Sequence, residues 1–417
     1  MQGLRIRGGR PLTGAIRVQA AKNSVLPILS ATLLCADVCV LHNCPDLTDV
    51  AAAADILRHL GCTVERSGES ITVDARGVCR SDVPEGLMRE MRSSILFLGA
   101  ILGRCGQAAL SFPGGCELGP RPIDLHLSAL RAMGVEVDDG GGDLRCQGLP
   151  RGTELTLPFP SVGATENVMI AACAAEGTTV LNNAAREPEI VDLQNFLRAM
   201  GADVEGAGSS VVVIRGGQPL HGAEHRVISD RIVAATYLSA VAASGGKLTL
   251  EGVERATLLP VLEALHEAGC TLAGDERTIV LSSTGVLEGL RCVRTAPYPG
   301  FPTDAQPLLM AALCRSRGVT VFVENLFENR YRQAAELRRM GADIRVEGRV
   351  AVVCGVERLH GAAMRAPDLR GGAALTVAAL GADGESLVTG LHHLDRGYER
   401  LEEDLRALGA DIFRVNV

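Results

Sequence analysis

The segment LRAMGADV at residues 197–204 decides the fold, because close copies of it recur along the whole chain. The other five are LRHLGCTV from 57, LRAMGVEV from 130, LHEAGCTL from 265, LRRMGADI from 337 and LRALGADI from 405. Their central glycines are 73, 67, 68, 72 and 68 residues apart, at Gly61, Gly134, Gly201, Gly269, Gly341 and Gly409. Each copy predicts an amphipathic helix that ends at a left-handed glycine and is followed by a strand.

Other elements recur at similar distances from each repeated glycine. A short β-type segment precedes each glycine, such as GTTVLNN at 177–183 or GVTVFVEN at 318–325. Before it lies an Ala/Leu-rich helical run, at 22–34, 92–103, 161–175, 229–243, 301–314 and 369–381. Each repeat is therefore predicted as helix, strand, helix and a pair of strands, which is an α/β unit with one sheet face buried against two helices.

The two termini belong together in this scheme. The sixth repeat ends at DIFRVNV (411–417) without a partner strand, whereas GGRPLTGAIRV from 8 resembles segments from 216 and 355. We therefore expect residues 1–20 to complete the sixth repeat. With three repeats in each domain, the domains are predicted at 21–229 and at 1–20 plus 230–417.

Composition excludes several classes of protein. The net charge of -8 argues against a nucleic-acid binder with a broad basic surface, but allows an anionic ligand in a locally basic site. No apolar run reaches the ~18 residues of a membrane span, and Met1–Arg10 lacks the apolar core of a signal peptide. Thirteen cysteines without a CxxC pair indicate reduced thiols in a cytoplasmic protein, without a disulfide framework or a zinc site.

Polar and charged residues gather at helix starts. They are Lys22-Asn23, Arg92-Ser93, Ser161–Gly163, Asp230-Arg231, Thr303-Asp304 and Asp368–Arg370, and also the loops 113–124, 185–192, 327–332 and 392–400. Helix N-termini attract anions, so these positions predict an anion site. Ordinary capping is the alternative for Ser93, Thr303 and Asp304. A surface salt bridge is the alternative for the cations, but their recurrence at equivalent positions disfavours it.

Longer motifs carry a resemblance over the whole length. They include AAKNSVLPIL (20–29), PGGCELGPRPIDLH (113–126), SVGATENVMI (161–170), NAAREPEIVDL (183–193), FPTD (301–304), FENR (327–330), DLRGGAAL (368–375) and HHLDRGYERLEEDLRALGADI (392–412). The chain resembles the enolpyruvyl transferase family. The resemblance implies a two-domain inside-out α/β barrel of six βαβαββ units, three per domain, with the active site in the cleft between the domains.

The resemblance also implies an activity and a fosfomycin-sensitive cysteine. The expected reaction transfers enolpyruvate from phosphoenolpyruvate to the 3′-hydroxyl of UDP-N-acetylglucosamine by addition and elimination, releases phosphate, and is the first committed step of peptidoglycan biosynthesis. No cofactor, metal, nucleic acid or membrane insertion is expected. In this reaction Asp304 is the base for the sugar hydroxyl. Cys116 protonates carbon 3 of phosphoenolpyruvate or forms a covalent adduct with it.

Two sets of binding residues follow from the same resemblance. Phosphoenolpyruvate is expected to contact Lys22, Asn23, Arg121, Arg330, Arg370 and Arg396, of which Lys22 and Arg396 also serve catalysis. UDP-N-acetylglucosamine is expected to contact Asn23, Arg92, Arg121, Pro122, Ile123, Asp124, Leu125, Ser161, Val162, Gly163, Asp304 and Leu326. Arginine forks suit the carboxylate and phosphate groups of these ligands.

One position departs from the family pattern and leaves alternatives open. Phe159 stands where the family often has a lysine that contacts the diphosphate. This change is the only support for a degenerate, nucleotide-sugar-binding paralogue, against which Lys22, Cys116 and Asp304 argue. The other alternative is a 5-enolpyruvylshikimate-3-phosphate synthase, but Cys116 and the SVGAT and FPTD motifs favour the nucleotide sugar.

Overall fold

In the computed structural model of the protein, residues 2–111, 123–140 and 143–417 are described, apart from the side chain of Arg92. They form six four-stranded sheets. In each sheet an edge strand runs parallel to the first strand of the repeat, and the two remaining strands are antiparallel to each other. In five of the sheets these two strands form a hairpin whose second strand lies in the middle. The repeat predicted from the sequence therefore corresponds to one sheet with its helices.

The four strands of each sheet lie side by side in the same relative order. Sheet by sheet, and in that order, they are Glu224–Arg226, Val38–His42, Ser70–Asp74 and Thr63–Ser67; Asp82–Val83, Gln107–Ser111, Asp143–Gln147 and Glu136–Asp138; Glu154–Thr156, Thr178–Asn182, Val211–Arg215 and Asp203–Glu205; Leu12–Arg17, Gly246–Glu251, Thr278–Ser283 and Thr271–Gly274; Cys292–Arg294, Val319–Val323, Val350–Cys354 and Asp343–Glu347; and Ala363–Arg365, Glu385–Thr389, Gln2–Arg7 and Asp411–Asn416.

Each repeat has two helices. The first helices are Lys22–Ala31, Phe97–Cys105, Val162–Cys173, Arg231–Ser244, Gln306–Leu313 and Leu369–Gly381. The second helices are Thr48–Leu60, Asp124–Ala132, Pro188–Ala199, Leu259–Glu267, Gln333–Arg339 and Leu401–Ala407. Short additions are the helix Glu85–Glu90 and the 3₁₀ segments Thr32–Leu34, Arg92–Leu96, Arg255–Leu258 and Leu391–Arg396. Among the described helices, none has both the length and the apolar character needed to cross a membrane.

The repeated glycines end the second helices in the way the sequence predicts. All six have φ between 83° and 106°, the left-handed region that favours glycine. At Gly201 the N–H donates to the carbonyl of Arg198 at 2.9 Å, and the next N–H, of Ala202, donates to Leu197 at 3.0 Å. The same pair of bonds occurs at the other five glycines. This Schellman arrangement satisfies carbonyls that a helix end would otherwise leave unpaired.

The N-terminal residues join two different sheets. Gln2–Arg7 pairs antiparallel with both Glu385–Thr389 and Asp411–Asn416, so it completes the sixth sheet as predicted. Leu12–Arg17 instead pairs parallel with Gly246–Glu251 of the fourth sheet, so the prediction that residues 1–20 all complete the sixth repeat was wrong in this part.

The cause lies just before the fourth repeat. There, Glu224–Arg226 pairs with Val38–His42 of the first sheet. This strand is therefore used elsewhere, and the fourth sheet takes its short parallel strand from the N-terminal segment.

The chain forms two compact units. The described residues of one are 2–19 and 229–417, and those of the other lie within 20–228. In the first unit, the helices Arg231–Ser244, Gln306–Leu313 and Leu369–Gly381 pack against one another and are almost wholly buried. The strands alternate buried and more exposed residues, as Val319–Val323 does, so one sheet face covers the helices. With few aromatic residues, Ala-rich helices can approach closely, which puts helices inside and sheets outside.

Candidate active site

Asp304 joins two buried arginines in the unit that contains residues 229–417. Its Oδ1 accepts a hydrogen bond from Nη2 of Arg330 at 2.5 Å, and its Oδ2 accepts one from Nε of Arg370 at 3.2 Å. The side chains of the two arginines are 2% and 3% exposed, whereas that of Asp304 is 28% exposed. A surface salt bridge is therefore the wrong description of these arginines. Two guanidinium groups around one carboxylate leave a positive charge that suits an anion.

Capping does not explain Asp304 or Thr303. The helix that follows begins at Gln306 with Ala305 as its N-cap, and no described side chain makes a capping bond there. Thr303 Oγ1 donates instead to Glu324 Oε2 at 3.0 Å. At three other helix starts, Ser161, Asp230 and Asp368 accept capping bonds from backbone N–H groups.

Glu324 connects the segments that carry Asp304 and Arg330. Its Oε1 accepts the backbone N–H groups of Leu326 at 2.8 Å and Phe327 at 3.1 Å, while its Oε2 binds Thr303. Glu324 is fully buried. Arg330 links the same two segments a second time. Its Nε donates to the carbonyl of Thr303 at 3.1 Å, and its guanidinium lies 5.7 Å from the ring centre of Phe327. Both chain segments are thereby held in one fixed arrangement.

Arg370 is fixed from several sides. It lies in the first turn of its helix, where Asp368 Oδ1 accepts its backbone N–H at 3.1 Å. Its Nη1 donates to the hydroxyl of Tyr398 at 3.3 Å, and its guanidinium lies 5.6 Å from the centre of that ring. Burial works to lower the pKa of Arg370, but Tyr398, Asp304 and Asp230 more than offset burial and leave it above its ordinary value. These neighbours therefore favour the charged form of the guanidinium.

Two further predicted residues lie in the same unit. Arg396 is the half-buried last residue of the 3₁₀ segment Leu391–Arg396, which packs against the helix that carries Arg370. Leu326 is half-buried, and its backbone is held by Glu324. The structure thus brings Asp304, Arg330 and Arg370 into direct contact and places Arg396 on an element beside them.

Lys22 is a buried cation in the other unit. It is the first residue of its helix, and its Nζ lies 2.6 Å from Oδ2 of Asp49, whose side chain is 2% exposed. The neighbouring Asn23 is exposed. Since both charges of the Lys22 pair are withdrawn from water, a surface salt bridge is again the wrong description. The pairing fixes the ammonium group at the positive end of the helix.

Asp192 binds Ser24, the third residue of the helix that begins at Lys22. Its Oδ2 accepts a bond from Ser24 Oγ and lies 3.3 Å from the backbone nitrogen of Ile228, and its Oδ1 lies 2.9 Å from Nε2 of His225. Asp192 is itself 3% exposed. The start of the helix that presents Lys22 and Asn23 is therefore anchored by buried polar contacts.

His126 brings the segments 123–125 and 161–163 together. A Cβ atom on Gly163 would lie only 3.2 Å from Cε1 of His126, so glycine allows the close approach of this ring. Nδ1 of His126 lies 3.0 Å from Nδ2 of Asn167, and Oδ1 of Asn167 accepts the backbone N–H of Gly99 at 2.7 Å. Asp124 and Leu125 open the helix of His126, with Ile123 as its N-cap, and Ser161, Val162 and Gly163 open the helix of Asn167.

Several predicted residues have little or no structural description. Cys116, Arg121 and Pro122 lie outside the described residues, and Arg92 is described only as the first residue of the 3₁₀ segment Arg92–Leu96. The described cysteines are all unbridged. Within 2–111, 123–140 and 143–417, no group of three or more His, Cys, Asp or Glu residues could hold a metal ion. Phe159 is 43% exposed.

The sequence interpretation missed the residues that hold the predicted ones. Tyr398, Glu324 and Asp49 each contact a predicted residue or its backbone. Signals existed for two of them: the chain has only 4 tyrosines, and Tyr398 lies within the DRGYER motif. Glu324 directly follows the valine-rich strand Val319–Val323, where a carboxylate needs a partner.

The six four-stranded sheets with their paired helices form the fold of the enolpyruvyl transferases. The structure is similar to the solved enolpyruvyl transferase NikO from Streptomyces tendae, with a TM-score of 0.89, 28% identity, and coverage of 100% of this chain and 99% of that one. An EPSP synthase from Acinetobacter baumannii shares the fold with a TM-score of 0.76 at 20% identity, with 100% of both chains covered. The sequence model of the family described as EPSP synthase (3-phosphoshikimate 1-carboxyvinyltransferase) matches residues 6–405. The chain belongs to this family.

Relatives of higher identity carry a different name within the family. The chain is 50% identical over 412 residues to UDP-N-acetylglucosamine 1-carboxyvinyltransferase 2 of Caldanaerobacter subterraneus subsp. tengcongensis, with 99% of each chain covered. It is 49% identical over 425 residues to UDP-N-acetylglucosamine 1-carboxyvinyltransferase of Zymomonas mobilis subsp. mobilis, with 100% of both covered. The predicted resemblance to enolpyruvyl transferases is confirmed.

Proposed function

We propose that the protein transfers the enolpyruvyl group of phosphoenolpyruvate to the 3′-hydroxyl of UDP-N-acetylglucosamine and releases phosphate. The observation that carries this proposal is the identity of 45–50% over nearly the full chain to relatives named for this reaction. The alternative acceptor, shikimate 3-phosphate, has less support, because the two EPSP synthase structures compared, both from Acinetobacter baumannii, are only 19% and 20% identical and therefore support the fold alone.

The contacts of Asp304 support its role as the base. Its side chain is the most exposed member of the group that it forms with Arg330 and Arg370, so it can meet a substrate hydroxyl. The 3′-oxygen adds to carbon 2 of phosphoenolpyruvate while Asp304 takes its proton and carbon 3 gains one. Elimination then removes a proton from carbon 3, breaks the bond from carbon 2 to the phosphate oxygen, and restores the double bond. The two arginines stabilise the charge on carboxylate and phosphate through these steps.

The other residues take their proposed roles from the family pattern. Cys116 supplies the proton to carbon 3 or forms the covalent adduct. The proposed contacts of phosphoenolpyruvate are Lys22, Asn23, Arg121, Arg330, Arg370 and Arg396. Those of UDP-N-acetylglucosamine are Asn23, Arg92, Arg121, Pro122, Ile123, Asp124, Leu125, Ser161, Val162, Gly163, Asp304 and Leu326. The reaction would open peptidoglycan synthesis in the cytoplasm.

Phosphate release tests the proposal. The protein is mixed with phosphoenolpyruvate and either UDP-N-acetylglucosamine or shikimate 3-phosphate. Release with the nucleotide sugar alone supports the proposal, release with shikimate 3-phosphate alone replaces it by the alternative, and no release with either overturns both. Fosfomycin with the nucleotide sugar should add one molecule to Cys116, seen by intact mass, and Cys116→Asp should escape the adduct.

A further inference from the structure

A buried row of hydroxyl groups ends on Arg370. The hydroxyl of Tyr398 lies 3.3 Å from Nη1 of Arg370 and 2.8 Å from Oγ1 of Thr236. Oγ1 of Thr236 in turn donates to the carbonyl of Ile232, four residues earlier in the same helix, at 2.9 Å. Tyr398 and Thr236 are 3% and 1% exposed. The proposed binding residues include Arg370 but neither of these two.

The two ends of this row give its hydrogen bonds a direction, because the guanidinium of Arg370 can only donate and the carbonyl of Ile232 can only accept. Thr236 has one hydroxyl hydrogen, and it goes to the carbonyl of Ile232. The hydroxyl of Tyr398 must therefore donate to Thr236, and its oxygen accepts from Arg370. Burial raises the pKa of Tyr398, so the hydroxyl keeps the hydrogen that this order requires. A fixed order leaves only one favourable orientation of the row, which makes it a rigid support.

The row gives Arg370 a second anchor that does not depend on Asp304. Asp304 holds Nε, and Tyr398 holds Nη1 and presents its ring 5.6 Å from the guanidinium carbon. When Asp304 takes up a proton as the base, its carboxylate loses negative charge. The hydrogen bond from Arg370 to Asp304 therefore weakens during turnover. The bond to Tyr398 is unaffected by that proton and keeps the guanidinium in place.

We propose that Tyr398, supported by Thr236, is a positioning residue that sets the orientation of Arg370 toward phosphoenolpyruvate. It acts through Arg370 and does not touch the substrate. The inference rests on the proposed function, and in particular on the binding role of Arg370.

Tyr398→Phe is the primary variant, since it deletes the hydroxyl and keeps the ring. Tyr237→Phe is its matched control: Tyr237 is 1% exposed, its hydroxyl donates to Asp404 at 2.6 Å, and it is adjacent to Thr236 in sequence. Both variants lose one buried hydroxyl, so both should lower Tm. Only Tyr398→Phe should lower kcat/KM for phosphoenolpyruvate, by about 10-fold, the usual value of a hydrogen bond to a charged group. The KM for UDP-N-acetylglucosamine should stay unchanged.

Further variants test whether the kinetic effect of Tyr398→Phe depends on Thr236 and on Arg370. Thr236→Val removes the acceptor of the Tyr398 hydroxyl and should reproduce part of the kinetic loss, whereas Thr376→Val, which deletes a similar back-bond to Gly372, should not. In an Arg370→Lys background the additional loss from Tyr398→Phe should vanish, since lysine cannot make the same bond. An equal kinetic loss in Tyr237→Phe, or full additivity with Arg370→Lys, would overturn the proposal.

A crystal structure of Tyr398→Phe separates this inference from the proposed function. The guanidinium of Arg370 should move by more than about 0.5 Å, the tolerance of a working site. Should the unaltered protein release no phosphate with either acceptor, the proposed function fails, but the position of Arg370 in the variant still decides the positioning role. An unmoved guanidinium overturns the inference whatever the kinetics show.

Discussion

Asp304 and Arg370 are 66 positions apart in the sequence, yet Oδ2 of the one lies 3.2 Å from Nε of the other. Arg330 occupies the second carboxylate oxygen at 2.5 Å. The carboxylate is therefore held in a fixed orientation by two cations, while its side chain remains 28% exposed. This arrangement makes Asp304 the residue whose replacement is most informative.

Asp304→Asn should abolish base catalysis and keep the anion site. The amide oxygen can accept a hydrogen bond from only one of the two arginines, and the amide cannot take a proton. Both arginines keep their charge, so the site still attracts an anion. We expect kcat to fall by about 10²- to 10⁴-fold, the usual contribution of a positioned base. Stabilisation by phosphoenolpyruvate, measured as a rise in Tm, should persist. A kcat within a factor of about 10 of the original would remove Asp304 from the role of base.

Glu324 should tolerate glutamine far better than alanine. In Glu324→Gln the amide oxygen can accept the N–H groups of Leu326 and Phe327, and the amide nitrogen can donate to the hydroxyl of Thr303. In Glu324→Ala those buried backbone donors lose their acceptor, at a cost of about 1–3 kcal/mol each. Urea unfolding and kcat should therefore rank the original protein, Glu324→Gln and Glu324→Ala in that order. Equal losses in both variants would contradict the bonding scheme.

The repeat made the fold predictable, whereas the pairings across it depended on three-dimensional packing. A glycine such as Gly201 ends its helix through two hydrogen bonds, from its own N–H and from the next N–H, to residues three and four positions before the glycine. Local sequence therefore suffices to predict this helix end. The strands Leu12–Arg17 and Glu224–Arg226 lie in segments of similar sequence, and nothing within those segments indicates which sheet each strand joins. Which of the two strands joins the first sheet and which joins the fourth depends on how the whole chain packs.

The candidate site likewise has residues that the sequence could predict and supporting residues that it could not. Chemistry and resemblance identified Asp304, Arg330 and Arg370, because carboxylates and arginines suit the substrates. Their supports were not predictable, since Tyr398 reaches Thr236 across 162 positions and neither residue type marks a site by itself. A contact of that kind is set by helix packing and not by local pattern.

Gly201→Ala should destabilise its unit. The φ angle of Gly201 is 97°, and a Cβ there would lie 3.2 Å from the carbonyl oxygen of Pro219. Left-handed backbone costs alanine about 1–2 kcal/mol, and the close contact adds to it. Gly86→Ala is the control, because it lies in the helix Glu85–Glu90, where a Cβ would meet no described atom within 4 Å beyond its chain neighbours and the backbone of its own helix. Denaturant unfolding should show a loss for Gly201→Ala and none for Gly86→Ala.

Glu166 should make stability fall as pH rises. Burial, with the charges of Glu189 and Glu187, raises its pKa well above the ordinary carboxyl value, and Oε1 of Glu166 has no hydrogen-bond partner among the described residues. The folded state therefore keeps a proton that the unfolded state releases, so stability is greatest below the unfolded pKa and declines as pH rises toward the folded one.

Glu166→Gln removes this titration. Relative to the original protein, the variant should gain free energy of unfolding as pH rises above the ordinary carboxyl pKa, by up to about 1.4 kcal/mol per pH unit, because it has no proton to retain in the folded state. Glu136→Gln, at an exposed strand position, is the control and should leave the pH profile unchanged. A parallel profile for Glu166→Gln and the original protein would show that Glu166 is not the group responsible.

Phe159→Lys should tighten the nucleotide sugar. Phe159 is 43% exposed, and its carbonyl accepts the N–H of Ser161, the N-cap of the helix Val162–Cys173. A lysine here would add a cation beside a helix N-terminus, where a diphosphate is already favoured. We expect the KM for UDP-N-acetylglucosamine to fall about 3- to 10-fold at low salt and the gain to shrink as ionic strength rises. Leu149→Lys adds the same charge at a residue that is 57% exposed in the same unit and should not change this KM. An unchanged KM in Phe159→Lys, or an equal fall in Leu149→Lys, would mean that the position does not face the diphosphate.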